Sequence, residues 1–197
     1  MTSKDIMLNF SLEHMLIMKM KTIIKGKKMK MNCKEEARDI IIVNFNEVTS
    51  YSEKAMELFE NGYNCSQSVF LAFCDMYKMD YETALRISSS FGAGMGRLRE
   101  VCGAVTGMFM VAGMLYGYTD PKDQVSKTEH YKRIQFLANE FDTKNHSIIC
   151  RELLGLGKGK DSPVPEIRTA EYYKKRPCVE LVGMAASIME KYIEENK

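Results

Sequence analysis

The sequence predicts an all-α fold, a compact multi-helix bundle with a Gly-rich loop before a buried central helix. Three observations predict it. Apolar residues recur at helical spacing from Val48 onward, as in Ala55, Leu58 and Phe59 or Ile134, Leu137 and Phe141. Cap signals bracket those runs, Asn64 before one helix and Asn61-Gly62 after another. No alternating strand pattern is present, and the one β-branched run, Ile40 to Phe45, has no partner to pair with. Composition agrees with one globular domain: 197 residues, 45% hydrophobic and 27% charged.

The chain divides by composition. Residues 1–47 form a basic, Met- and Lys-rich N-terminal extension, expected to be mobile, and residues 48–197 a helical domain. The first helix carries Ala55, Leu58 and Phe59. The next starts at the Asn64 cap, with Gln67 as capping-box partner, and turns Cys65, Ser68, Val69, Ala72, Phe73 and Met76 inward. Asp80 caps a shorter helix through Ala84, Leu85 and Ile87. After the glycine loop, the Cys102 helix runs to about Gly117 with Val105, Phe109 and Met110 on one side. Asp120-Pro121 reads as the start of another helix. Asn145 to Ser147 supplies caps for a brief helix, Ile148 to Leu154, closed by Gly155. The Gly-, Lys- and Pro-rich stretch Gly155 to Pro165 reads as a mobile surface excursion. Pro177 opens the last helix, with the stripe Cys178, Leu181, Val182, Ala185, Ala186, Met189, Tyr192 and Ile193.

Charge and targeting signals narrow the classes. The net charge of +2 gives no reason to expect a nucleic-acid partner. Val101 to Tyr118 lacks charge but is short and rich in glycine, so a buried helix is expected rather than a membrane span. No secretory signal opens the chain, which points to a reducing, cytoplasmic setting.

Six cysteines are present, none spaced CxxC. That spacing removes local zinc knuckles, thioredoxin-type motifs and covalent haem attachment. Cys65, Cys102, Cys150 and Cys178 each stand near the start of a helix and continue into an apolar stripe, so in a bundle they can converge. Free N–H groups at helix starts favour thiolates, the form that attacks disulfides and binds metal. Cys74 lies nine residues past Cys65, on roughly the opposite helix face, and reads as a buried apolar residue. Cys33 has no assigned role. Gly92, Gly94, Gly96, Gly103 and Gly107 are site-shaping positions, small enough to let other helix starts approach Cys102. Arg97 is a weaker candidate, for anion binding.

NGYNCSQSV, FGAGMGRLREVCGAVTG, ICRELLG and RPCVELVGMAA resemble the redox-active family named for its C-GCAxxG-C-C motif, over roughly Tyr51 to Glu190. The central motif here reads Cys102-Gly103-Ala104-Val105-Thr106-Gly107. The resemblance implies that the family's four cysteines are Cys65, Cys102, Cys150 and Cys178. It also implies a redox-active or metal-binding helical module, often encoded beside transporter genes.

These readings lead to three expectations. The first is a four-thiolate site for a soft centre, an iron–sulfur cluster or zinc. The second is a thiol–disulfide protein without metal. The third is a non-catalytic helical binding module associated with a transporter. A single-cysteine enzyme ranks last, because no His or Asp stands at a telling spacing. An unnamed redox partner and a homodimer are the expected assemblies.

Overall fold

The computed structural model describes residues 50–158 and 161–197. The extension, Cys33 and the run Ile40 to Phe45 lie outside the described residues. The fold class is as expected: the described residues are helical, with no strand among them.

Helix α1, Tyr51–Glu60, starts at Ser50, whose hydroxyl accepts the Glu53 N–H, and buries Ala55, Leu58 and Phe59. Helix α2, Cys65–Ala72, has the full capping box: the Asn64 side chain accepts from Ser66 and Gln67, and the Gln67 side chain accepts the Asn64 N–H. Helix α3, Tyr81–Ser89, is capped by Asp80. Helix α4, Gly103–Tyr116, is the central helix, with Ala104, Val105, Met108, Val111 and Ala112 fully buried. Helix α5 is Gln124–Asn145, α6 Cys150–Leu153, α7 Ala170–Lys175 and α8 Cys178–Glu195. Helix α8 packs on α1, α2, α4 and α5, and α4 packs on α2 and α5. The α1–α8 crossing is close enough for the Ser52 hydroxyl to donate to the Gly183 carbonyl at 2.9 Å. Phe59, Phe70, Phe73, Phe141 and Met189 fill the core between these helices.

Several local expectations need correction. Helix α2 stops at Ala72 and gives way to a 3₁₀ turn, Cys74–Met76, which brings Cys74 into the core and turns Met76 outward. Ile87 is exposed because only the Tyr81, Ala84 and Ser88 face of α3 is buried. Helix α5 begins at Gln124, not at Pro121. Asp123 rather than Asp120 supplies the side-chain cap, accepting from the Ser126 N–H. Ile148 and Ile149 are not helical. Ile149 is extended and forms an isolated antiparallel bridge with Val101. Tertiary pairing overrides helix propensity here: the Cys102 N–H donates to Ile148 O at 2.8 Å and the Cys150 N–H to Glu100 O at 2.7 Å.

After Gly155 the described residues, 155–158 and 161–165, lie on the surface as expected. Asp161 pairs with both Arg97 and Arg99. Helix α7 was not expected at all. Its signals are nonetheless in the chain: the Thr169 hydroxyl accepts the Tyr172 N–H, Glu171 sits in the first turn, and Lys174 and Lys175 in the last.

Candidate four-cysteine site

The sequence between α3 and α4 is forced through left-handed backbone. Ala93, Met95, Arg97 and Arg99 have φ of 55°, 63°, 69° and 62°, and Gly94 and Gly96 have 69° and 63°. Left-handed alanine, methionine and arginine each cost roughly 1 kcal/mol or more, a strain that surrounding contacts must hold. Those contacts are specific. The chain doubles back so that the Ala93 N–H reaches the Cys65 sulfur, and the Arg99 guanidinium lies at 3.9 Å from the Cys150 sulfur.

Around this turn the four predicted cysteines meet. Cys65, Cys102, Cys150 and Cys178 all line one cavity of about 50 Å³, together with Arg99, Arg168, Tyr172 and Arg176. Cys65, Cys150 and Cys178 are the first residues of α2, α6 and α8, and Cys102 is the residue before α4. Cys74 is absent from that lining and sits in the hydrophobic core. Cys65, Cys102, Cys150 and Cys178 are free thiols.

The site glycines differ in what they touch. A methyl at Gly103 would stand 2.9 Å from Cys65 Cβ and 3.0 Å from the Phe91 carbonyl. At Gly94 it would stand 2.6 Å from Cys150 Cβ, on backbone that already disfavours a side chain. Gly107 faces the Ser66 carbonyl and Gly92 the Asn64 side chain. At Gly96 the space is open and the left-handed φ is the constraint. Arg97 is engaged by Asp161 at 2.8 Å and Glu166 at 3.5 Å.

The thiols are not equivalent. Helix-start N–H groups would favour thiolates at all four, yet burial outweighs them at Cys102 and Cys150, and the interaction with Cys65 together with burial does so at Cys178. Cys65 is pulled down to about 7, chiefly by a hydrogen bond with Cys178, then by the Ala93 N–H and the Arg168 charge, against the opposing effect of burial. Cys178 is pushed up by that same shared hydrogen bond and by burial. Burial and then the nearby Cys65 charge raise Cys102. Burial raises Cys150 too, although Arg99 works against it. Cys65 is partly exposed as a residue although its sulfur is enclosed by the cavity walls; Cys102, Cys150 and Cys178 are 5%, 6% and 9% exposed.

Among the described residues no three His, Cys, Asp or Glu side chains are gathered closely enough to hold one metal ion together. His130 contacts Arg133 and His146 caps α5, and neither lines the cavity. No helix among the described residues is long and apolar enough to cross a membrane. Sequence reasoning missed Asp161, Arg168, Tyr172 and Arg176, which border the site from the segment before α8. Only the α7 capping pattern hinted that this segment is ordered.

Comparison with known proteins returns no match among curated proteins and none among solved structures. A family model described as "Putative redox-active protein (C_GCAxxG_C_C)" matches residues 63–192, a span that holds all four cavity cysteines. The chain belongs to the C_GCAxxG_C_C family of redox-active proteins.

Proposed function

We propose that the protein is a thiol–disulfide redox protein whose working couple is Cys65 and Cys178. One observation carries this reading. The two thiols stand at the starts of α2 and α8 on one cavity, and their interaction draws Cys65 toward the thiolate while holding Cys178 protonated. That is the division of labour between an attacking and a resolving cysteine. The Cys65 thiolate attacks one sulfur of an incoming disulfide. A mixed disulfide forms and one thiolate leaves. Cys178 then loses its proton to that thiolate and attacks the Cys65 sulfur, closing Cys65–Cys178 and releasing the second thiolate. The incoming disulfide gains two electrons and the protein dithiol loses two. Cys102 and Cys150 stand beside the couple as protonated thiols. A cytoplasmic setting would keep the couple reduced between turnovers.

A second reading is favoured by the donor set. Four sulfurs on one cavity, facing Arg99, Arg168 and Arg176, match the ligands and counter-charge of an iron–sulfur cluster. The sulfurs of a cluster bind different irons and so stand farther apart than around one ion. When bound, such a cluster would supply one-electron transfer.

Anaerobic purification followed by oxidation with a small disulfide separates the two. The thiol reading expects a colourless protein that loses two thiols per chain, with Cys65 linked to Cys178 in peptide maps and both recovered on reduction. Cys65→Ser should abolish the loss and Cys74→Ser should not. Protein that arrives with iron and sulfide, absorbs in the visible and shows no reversible thiol loss would overturn the first reading in favour of the second.

A further inference from the structure

Next to the cysteine cavity lies an outer basin of about 240 Å³, and four arginines, Arg97, Arg99, Arg168 and Arg176, line it. Arg99, Arg168 and Arg176 line the cysteine cavity as well, so the two spaces share a wall. These are not solvated surface charges: the side chains of Arg97, Arg99 and Arg176 are 13%, 4% and 16% exposed. Two carboxylates serve them. Asp161 binds Arg97 and Arg99, and Glu166 binds Arg97 and Arg176. Among the described residues no carboxylate pairs with Arg168. Its guanidinium donates to the Phe59 carbonyl at 2.6 Å and lies over the Phe59 ring.

Guanidinium groups stay charged at any working pH. Four of them against two carboxylates leave two positive charges in a concave, largely desolvated place. A Cys65 thiolate compensates one. Charge that is buried without a partner is costly, and a bound anion is the remaining way to neutralise it. Planar guanidinium forks at several angles suit carboxylate groups, which accept two parallel hydrogen bonds. The volume fits a metabolite-sized molecule rather than a protein segment.

We infer that the outer basin is the binding site for a small anionic disulfide, or the thiol derived from it, held by its carboxylates so that its sulfur faces Cys65. This rests on the thiol–disulfide reading for the sulfur chemistry, while the anion site itself stands on the arginines alone. Glu166 pairs with Arg97 and Arg176 and is displaced by the ligand carboxylate.

Two measurements on the full chain test the inference. Oxidation of the reduced protein is followed with dianionic 5,5′-dithiobis(2-nitrobenzoate) and with neutral 2-hydroxyethyl disulfide at constant ionic strength. The ratio of their second-order rate constants, each divided by its rate with free cysteine, cancels the reactivity of the reagent and of the thiolate. The normalised ratio should favour the anion about tenfold, fall at least threefold in Arg97→Gln, and rise in Glu166→Gln, where the competing carboxylate is gone. Lys191→Gln, a charge removed from the far end of α8, should leave it unchanged. Separately, calorimetric titration with succinate should give saturable binding that Arg97→Gln weakens and Glu166→Gln strengthens. Succinate binding without any thiol reaction would keep the anion site and sink the redox reading. A ratio near one together with no succinate binding, or a ratio that Glu166→Gln lowers, overturns the inference.

Discussion

In the proposed thiol chemistry Cys65 is the residue to test first, because its reactivity is set by neighbours rather than by exposure alone. With its pKa near 7, about half of Cys65 is thiolate at pH 7, against about 1% for an ordinary thiol near 9. Its alkylation rate should therefore rise with pH and level off above about 8. Stopped-flow measurement with iodoacetamide on Cys74→Ser protein reads this directly. Since the largest cause is the Cys178 hydrogen bond, Cys178→Ala should shift the midpoint upward, toward the ordinary thiol value. Gly103 is the second residue to test. An alanine there must push against Cys65 Cβ and the Phe91 carbonyl, and overpacking of this kind costs about 1–3 kcal/mol. Gly103→Ala should lower the thermal midpoint and also change the Cys65 pH profile. A lower midpoint with an unchanged profile would separate the glycine from the thiols.

At the scale of elements, the α2 start joins helix capping to the site. Asn64 satisfies two orphan N–H groups of α2, and its amide donates to the Ser89 carbonyl at the end of α3. Removing such a cap costs about 1–2 kcal/mol. Asn64→Ala should show that loss in urea unfolding. It should also loosen the approach of Cys65 to Ala93, so its thiol midpoint should move up. The segment before α8 makes a different kind of contact. Its ion pairs through Asp161 join a carboxylate about one-third exposed to arginine side chains that are 13% and 4% exposed, so removing the carboxylate strands largely buried charge and costs more than breaking a surface pair would. Asp161→Asn is expected to lower the urea midpoint and to increase protease cleavage between α6 and α7. Limited proteolysis with mass spectrometry checks this. Equal protection in both proteins would mean that the arginine contacts do not anchor the segment.

For the whole molecule, the family match begins at residue 63 and ends at 192, which leaves the extension and the two ends of the bundle outside it. We expect the division at residue 48 to be a functional boundary. A chain beginning at Val48 should keep the helical circular dichroism and the Cys65 pH profile of the full chain. Loss of either would make the first 47 residues part of the domain. The core itself is a convergence of long-range contacts, with α8 returning to pack on α1 and α2. Only that return brings Cys178 to Cys65.

Local signals in the sequence were sufficient for the all-α class, the caps at Asn64 and Asp80, the apolar faces of α1 and α8, and the family. Caps and helical periodicity act within a few residues, so they can be read without knowing the fold. The grouping of Cys65, Cys102, Cys150 and Cys178 was also legible, because each stood at a helix start beside an apolar stripe. What only the tertiary structure decided was the ranking of those thiols. A shared hydrogen bond, one left-handed N–H and unequal burial separate Cys65 from three residues with the same local description. The extended Ile149 and the arginine wall depend likewise on partners 40 or more residues away or on a missed helix. Such pairings have no signature in a local window, since the energy that selects them exists only once the helices have packed.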